Sequence, residues 1–295
     1  MTYQQFILMT KEKLEASLDS HMNLQLHTVL KNNGKERTGI SFINKNINIS
    51  PTIYLEEYYT KYQNGYPLEY IVDMILDIYS DVKCENPWDV SVLKDFFQVE
   101  DKIAFKIISA EKNETFLKTM PYIAYHNFAI VFFILHKVDD TGTATIPIHD
   151  ALLNYWEKSV DELFQTALKN MPTLLPASIK PMQSVIRELI DDDLNIVLPE
   201  EELMYVATNT RGVFGASCIL YPNLLQEIAE TLNEDYYLLP SSIHEMIIVP
   251  KSKSPSTEDL LEMVKDINET QVDPEEVLCD SVYFYNHKES TLICV

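Results

Sequence analysis

The sequence predicts an α+β fold, with mainly antiparallel or mixed sheets flanked by helices, in two sub-domains. Three observations carry that expectation. Runs that alternate apolar and polar residues come in adjacent pairs separated by turn residues, as in hairpins. Between the pairs lie stretches with apolar residues at helical spacing. The order of the two lacks the strict strand–helix–strand alternation of a parallel α/β sheet.

Taken in order, Tyr3, Phe6, Ile7, Leu14 and Leu18 share one stripe of a helix over residues 3–18. Leu24, Leu26, Thr28 and Leu30 then alternate with polar residues, Asn32-Asn33-Gly34-Lys35 supplies a turn, and Thr38, Ile40 and Phe42 alternate again. After an extended piece at 47–49, Ser50-Pro51 reads as a helix cap with proline in the first turn, and that helix runs to Gln63 before Asn64-Gly65. Pro67 opens another helix through Leu68, Ile71, Ile75, Ile78 and Tyr79. A helix is expected over Trp88 to Phe97, then strands at 103–109, 129–135 and 143–148, with a turn at Asp139-Asp140-Thr141-Gly142. Asp150 caps a short helix to Trp156. Ser159 with Glu162 has capping-box spacing and starts a helix that Pro172 and Pro176 end. Those prolines place a linker at 171–181 between a part spanning 1–170 and an acidic part spanning 182–295. The second part is expected to hold a helix at 181–190, an acidic loop at 191–202, and strands at 203–208 and 216–220. A helix from Pro222, strands at 236–239 and 246–249, a helix over 257–269 and a closing hairpin at 282–285 and 291–295 complete it.

Charge narrows the partners. The chain carries a net −22, shared unevenly: residues 182–295 hold 6 Lys and Arg against 22 Asp and Glu, a net of −16. A surface this negative repels phosphate backbones and anionic lipid, so neither nucleic acid nor a membrane surface is expected as a partner, whereas a basic protein is. The most apolar run, 128–135, is far shorter than the roughly 20 residues of a membrane span. Cys84, Cys218, Cys279 and Cys294 are widely spaced with no CxxC, which predicts reduced thiols in a cytoplasm.

Ser241-Ser242-Ile243-His244-Glu245 is the most suggestive polar cluster, placing hydroxyl, imidazole and carboxylate within five residues after an apolar strand. A serine nucleophile needs a base in hydrogen-bond reach and a third group to orient that base. Residues adjacent in sequence seldom achieve this, and no glycine-flanked nucleophile elbow is present. A turn between two strands, with Ser242 and Glu245 at capping-box spacing, is the plainer reading of the cluster. Ser241, Ser242, His244 and Glu245 are therefore candidate binding residues, with no catalytic residue assigned. Cys218 lies inside an apolar segment, where a free cysteine behaves as a small hydrophobe. The seven histidines lack HExxH or His-x-His spacing, the acid triplets 191–193 and 200–202 lack calcium-loop spacing, and no Walker or GxGxxG sequence occurs. No metal and no cofactor is predicted.

Several segments together carry a family likeness: Ile49-Ser50-Pro51-Thr52-Ile53-Tyr54-Leu55, Glu162-Leu163-Phe164 leading to Pro172, and Met204-Tyr205-Val206-Ala207-Thr208-Asn209 with Gly215-Ala216 and Leu220-Tyr221-Pro222. Leu239-Pro240-Ser241-Ser242-Ile243-His244-Glu245 and Val277-Leu278-Cys279-Asp280 with Val282-Tyr283 complete the set. The chain resembles, over nearly its whole length, a family of bacterial proteins common in gut anaerobes and classed as a domain of unknown function. The resemblance implies an intracellular bacterial protein of one architecture and implies no activity, so no catalytic residue carries over. The leading expectation is a non-enzymatic binding or regulatory protein that recognises a basic protein through its acidic C-terminal part. The rival is a hydrolase-like enzyme using the 241–245 cluster.

Overall fold

A computed structural model describes residues 1–19, 21–83, 86–139, 142–189 and 202–295. Cys84, the turn residues 140–141 and the acidic stretch 191–201 lie outside the described residues. The chain divides into two compact units, 1–31 with 35–92, and 32–34 with 93–295. All strand pairs are antiparallel among the described residues, in sheets of three, four and six strands, so the fold is α+β.

The first unit contains α1 (Tyr3–Ser17), β1 (Met22–Leu30), β2 (Glu36–Asn44), β3 (Thr52–Tyr54), α2 (Glu56–Gln63) and α3 (Leu68–Val82). Thr2 opens α1 with a reciprocal capping box to Gln5, as its residue types favour. Phe6 and Leu14 of α1, Ile40 and Phe42 of β2, and Ile71 and Ile75 of α3 form one buried core. Phe42 stacks on Tyr79 with ring centres 4.0 Å apart. Glu56 ties the elements together: its Oε1 accepts from the Tyr3 hydroxyl and from the Thr38 amide, both at 2.6 Å. Burial, then that carboxylate, pushes the Tyr3 phenol up to about 12.

The helix expected from Pro51 does not start there. Residues 52–54 instead form β3, pairing Ile53 with Ile40. Thr, Ile and Tyr are strand-favouring residues, and the bond between the Ser41 and Thr52 hydroxyls (2.9 Å) fastens the strand. Pro51 sits just before it, where a missing N–H breaks no ladder bond. The helix over Trp88 to Phe97 is also absent: there is a 3₁₀ turn at Val90–Lys94, followed by α4 (Phe96–Val99). Asp89 and Asp95 each accept a backbone N–H two residues on, from Ser91 and Phe97, and these local bonds compete with a continuous helix.

The second unit continues from α4 with β4 (Ile103–Ser109), α5 (Glu114–Leu117), β5 (Tyr122–Tyr125), β6 (Phe128–Asp139) and β7 (Gly142–Pro147). Then come α6 (Asp150–Tyr155), α7 (Val160–Leu174), β8 (Ala177–Pro181), α8 (Met182–Leu189), β9 (Tyr205–Asn209) and α9 (Leu224–Leu232). β10 (Tyr236–Ser242), β11 (Glu245–Pro250), α10 (Thr257–Thr270), β12 (Tyr283–Asn286) and β13 (Thr291–Cys294) end the order. The smaller sheet runs β4-β6-β5 with β7 paired to β6, and the larger runs β13-β12-β10-β11-β9-β8. α7 lies on the smaller sheet, with Phe164 against Phe105 and Phe132. In the larger sheet β10 and β11 are covered on both faces. Leu239, Ile247 and Val249 meet α10, while Ile248 faces α9, which explains their nearly unbroken apolar sequence.

Further differences have local causes. At 171–181, where the prolines suggest a linker, the chain finishes α7 and enters β8, with Met171 and Leu175 buried. Pro172 lies within the last turn of α7. His149, not Asp150, occupies the cap position of α6. Residues 216–220, expected as a strand, instead lie in a buried 3₁₀ helix, Gly215–Leu220, because a short apolar run has no period that separates the two.

The capping box of α7 gives a pH test. The Ser159 amide, the Lys158 ammonium and the Ser159 hydroxyl all donate to Glu162 and hold its carboxyl down to about 2. A depressed folded-state value stabilises above the ordinary carboxylate range and stops doing so as pH falls through about 2. The melting-temperature gap between wild type and Glu162→Ala should therefore be full near neutral pH and close progressively below about pH 5, as followed by circular dichroism.

Candidate functional site

The five-residue polar cluster sits at the tight turn joining β10 to β11, and its side chains are spent on that turn. A β-bulge at Ser241 lets Pro240 pair with Met246 and Ser242 with Glu245, leaving Ile243 and His244 as the loop. The Ser241 hydroxyl donates to Glu245 Oε1 at 3.3 Å. Ser242 Oγ, buried, accepts the His244 amide at 3.0 Å. His244 Nδ1 accepts the Phe214 amide at 3.2 Å, its ring stacks on the Phe214 ring, and Nε2 faces Glu276 Oε1 at 3.4 Å.

This is not a nucleophile–base arrangement. The imidazole nitrogen that could receive a serine proton already holds a backbone N–H, and the carboxylate that engages Nε2 is Glu276 rather than Glu245. The structure thus brings Ser241 to Glu245 and Ser242 to the His244 backbone, and brings neither hydroxyl to the ring.

Around the turn the chain is packed backbone against backbone. The Thr208 hydroxyl donates to the His244 carbonyl at 2.8 Å, Ala216 N–H to the Ile243 carbonyl at 3.3 Å, and Ile243 N–H to the Glu276 carbonyl at 2.8 Å. Gly215 stands where a Cβ would lie 2.5 Å from the His244 carbonyl oxygen and 2.8 Å from the Asn209 nitrogen, so glycine is required. Phe214 enters this corner in a left-handed conformation (φ 54°), with the Lys106 ammonium 4.5 Å above its ring. None of Thr208, Phe214, Gly215 or Glu276 is near the cluster in sequence. Only the scarcity of glycine singles out Gly215.

Cys218, in the buried 3₁₀ helix, has its thiol pushed up to about 12 by burial. Among the described residues no group of three or more His, Cys, Asp or Glu side chains is placed to hold a metal ion. His126 packs its ring against Tyr125 and Tyr283. No helix among the described residues is long and apolar enough to cross a membrane.

One concavity adjoins the cluster. Bulged Ser241 borders a pocket of about 90 Å³ between α10 and the larger sheet, with Met182, Met204, Leu239, Met263 and Ile267 in its walls. Its lining is almost wholly apolar. Asn268 of α10, only 8% exposed, also lines it, and its Oδ1 has no hydrogen-bond partner among the described residues. The sequence shows none of this, since the three methionines come from three separate segments.

The sequence profile of the family of unknown function DUF5688 matches residues 3–287. The chain belongs to that family. No curated protein and no solved structure matches it. The DUF5688 match spans both compact units.

Two outcomes follow from this packing. Thiol labelling of the native protein at pH 8 should modify exposed Cys294 and spare Cys218, which is buried and whose thiol burial holds in the protonated form. Mass spectrometry of the labelled peptides decides it, and denaturant should expose Cys218. Gly215→Ala should lower unfolding stability by about 1–3 kcal/mol or more in a denaturant titration, because backbone atoms cannot move aside cheaply.

Proposed function

We propose that this chain is a non-enzymatic binding or regulatory protein of the cytoplasm that recognises a basic protein partner through the acidic surface of residues 182–295. The observation that carries the reading is the division of α10 into two flanks. Leu260, Val264 and Asn268 are buried against the larger sheet. Glu258, Asp259, Glu262, Asp266 and Glu269 are exposed, against one cation of the helix, Lys265. At 3.6 residues per turn these five acids fall on one contiguous flank, with Lys265 beyond it. Carboxylates four apart, such as Glu258, Glu262 and Asp266, repel one another and weaken a helix slightly. A basic partner relieves that repulsion.

The field of such a flank steers a cationic partner and fades beyond a Debye length of about 8 Å at physiological salt. Catalysis by Ser241, Ser242, His244 and Glu245 lacks a nucleophile–base contact to support it. The free thiols Cys218, Cys279 and Cys294 suit a reducing compartment.

A tagged pull-down from the native host at low salt, read by mass spectrometry, should recover a stoichiometric basic protein that raised salt releases. The quadruple variant Glu258→Lys, Glu262→Lys, Asp266→Lys, Glu269→Lys should lose it. An acidic partner, salt-insensitive capture, or retention by the variant overturns the reading.

A further inference from the structure

The pocket beside α10 has two features that the acidic flank alone does not explain. First, it is a small apolar slot open at the surface of an otherwise packed sheet–helix layer. Its volume, about 90 Å³, is below the roughly 150 Å³ of a cavity that admits benzene, so it suits a branched side chain of a few carbons rather than a cofactor. Met182, Met204 and Met263 give it adaptable walls, since unbranched thioethers change rotamer at little cost.

Second, the pocket wall holds an unused acceptor. The Asn268 Nδ2 donates to the Cys279 carbonyl at 3.0 Å and to Asp280 Oδ1 at 2.8 Å. Both partners are acceptors, so the amide cannot be turned over, and Oδ1 is left buried without a donor among the described residues. Buried polar groups are ordinarily satisfied, and among the described residues this one is not.

The two features share a border with the acids. On α10, Glu262 and Asp266 each directly precede a pocket residue, Met263 and Ile267, and helical geometry places Asp259, Glu262 and Asp266 on the flank beside Met263. We propose that this pocket seats a leucine-sized side chain of the basic partner while flanking lysines or arginines meet the α10 carboxylates. The inference rests on the acidic-surface reading and adds its anchor. Apolar anchoring in a pocket with a charged rim is the usual division of labour in an interface, the pocket setting affinity and the rim setting approach.

The test uses the full chain labelled with carbon-13 in its methionine methyls, titrated with two probe peptides, acetyl-KKLKK-amide and acetyl-KKGKK-amide. The leucine peptide should bind about tenfold or more tightly than the glycine peptide, as burying one leucine side chain gives. It should shift the signals of Met182, Met204 and Met263. Ile267→Trp, at a position 37% exposed, covers the slot without disturbing the core and should erase the leucine preference. Equal binding of both peptides, weakened by salt, overturns the pocket inference and leaves the acidic surface standing. Leucine-selective binding that ignores salt overturns the acidic surface alone. No binding of either peptide overturns both.

Discussion

The close approach of Gly215 to the β10–β11 turn is the contact on which the second unit is organised. With no side chain there, the 3₁₀ helix Gly215–Leu220 can slide under the turn and against β9. That placement sets the next two residues of consequence. Ser217, wholly buried, accepts the Ile107 amide at 3.0 Å, and so satisfies the outer edge of β4 in the smaller sheet. Tyr221 then reaches the carbonyl of Leu175, where α7 ends, at 2.7 Å. One short segment therefore joins both sheets of this unit and the helix on one of them, and it closes an exposed strand edge that would otherwise invite pairing with another chain.

The same constraint explains how the polar side chains of the 241–245 cluster hold their turn. A turn pressed against a neighbouring backbone must satisfy every N–H and C=O it buries. Ser242, His244 and Thr208 do that work, and Glu276 binds Ile243 through its carbonyl and faces His244 through its carboxylate. Hydroxyl, imidazole and carboxylate are the residue types that catalysis uses, and equally the ones that fasten a buried turn. Geometry separates the two uses, and here the ring nitrogens point at Phe214 and Glu276.

α10 shows how charge and burial coexist on one helix. Its apolar side completes the core of the larger sheet, its outer flank concentrates acids, and the pocket lies along the seam. Asn268 Oδ1, buried on that seam, has no hydrogen-bond partner among the described residues. Membership of DUF5688 gives the chain a relationship without an activity.

Elements whose residues state a period and a cap are legible in the sequence by itself. Ser159 with Glu162, the helical spacing from Leu68 to Tyr79, and the paired alternations of 24–30 with 38–42 each encode their local conformation, because capping and amphipathicity act within a few residues. The net charge of 182–295 is equally plain there. Position decides the rest. Thr52-Ile53-Tyr54 is a strand because Ile40 is there to pair with, and Gly215–Leu220 is a buried helix because two sheets converge on it. Met182, Met204 and Met263 make one pocket only where α8, the segment before β9, and α10 come together. Such features depend on contacts between residues far apart in the chain, which no local pattern of the sequence records.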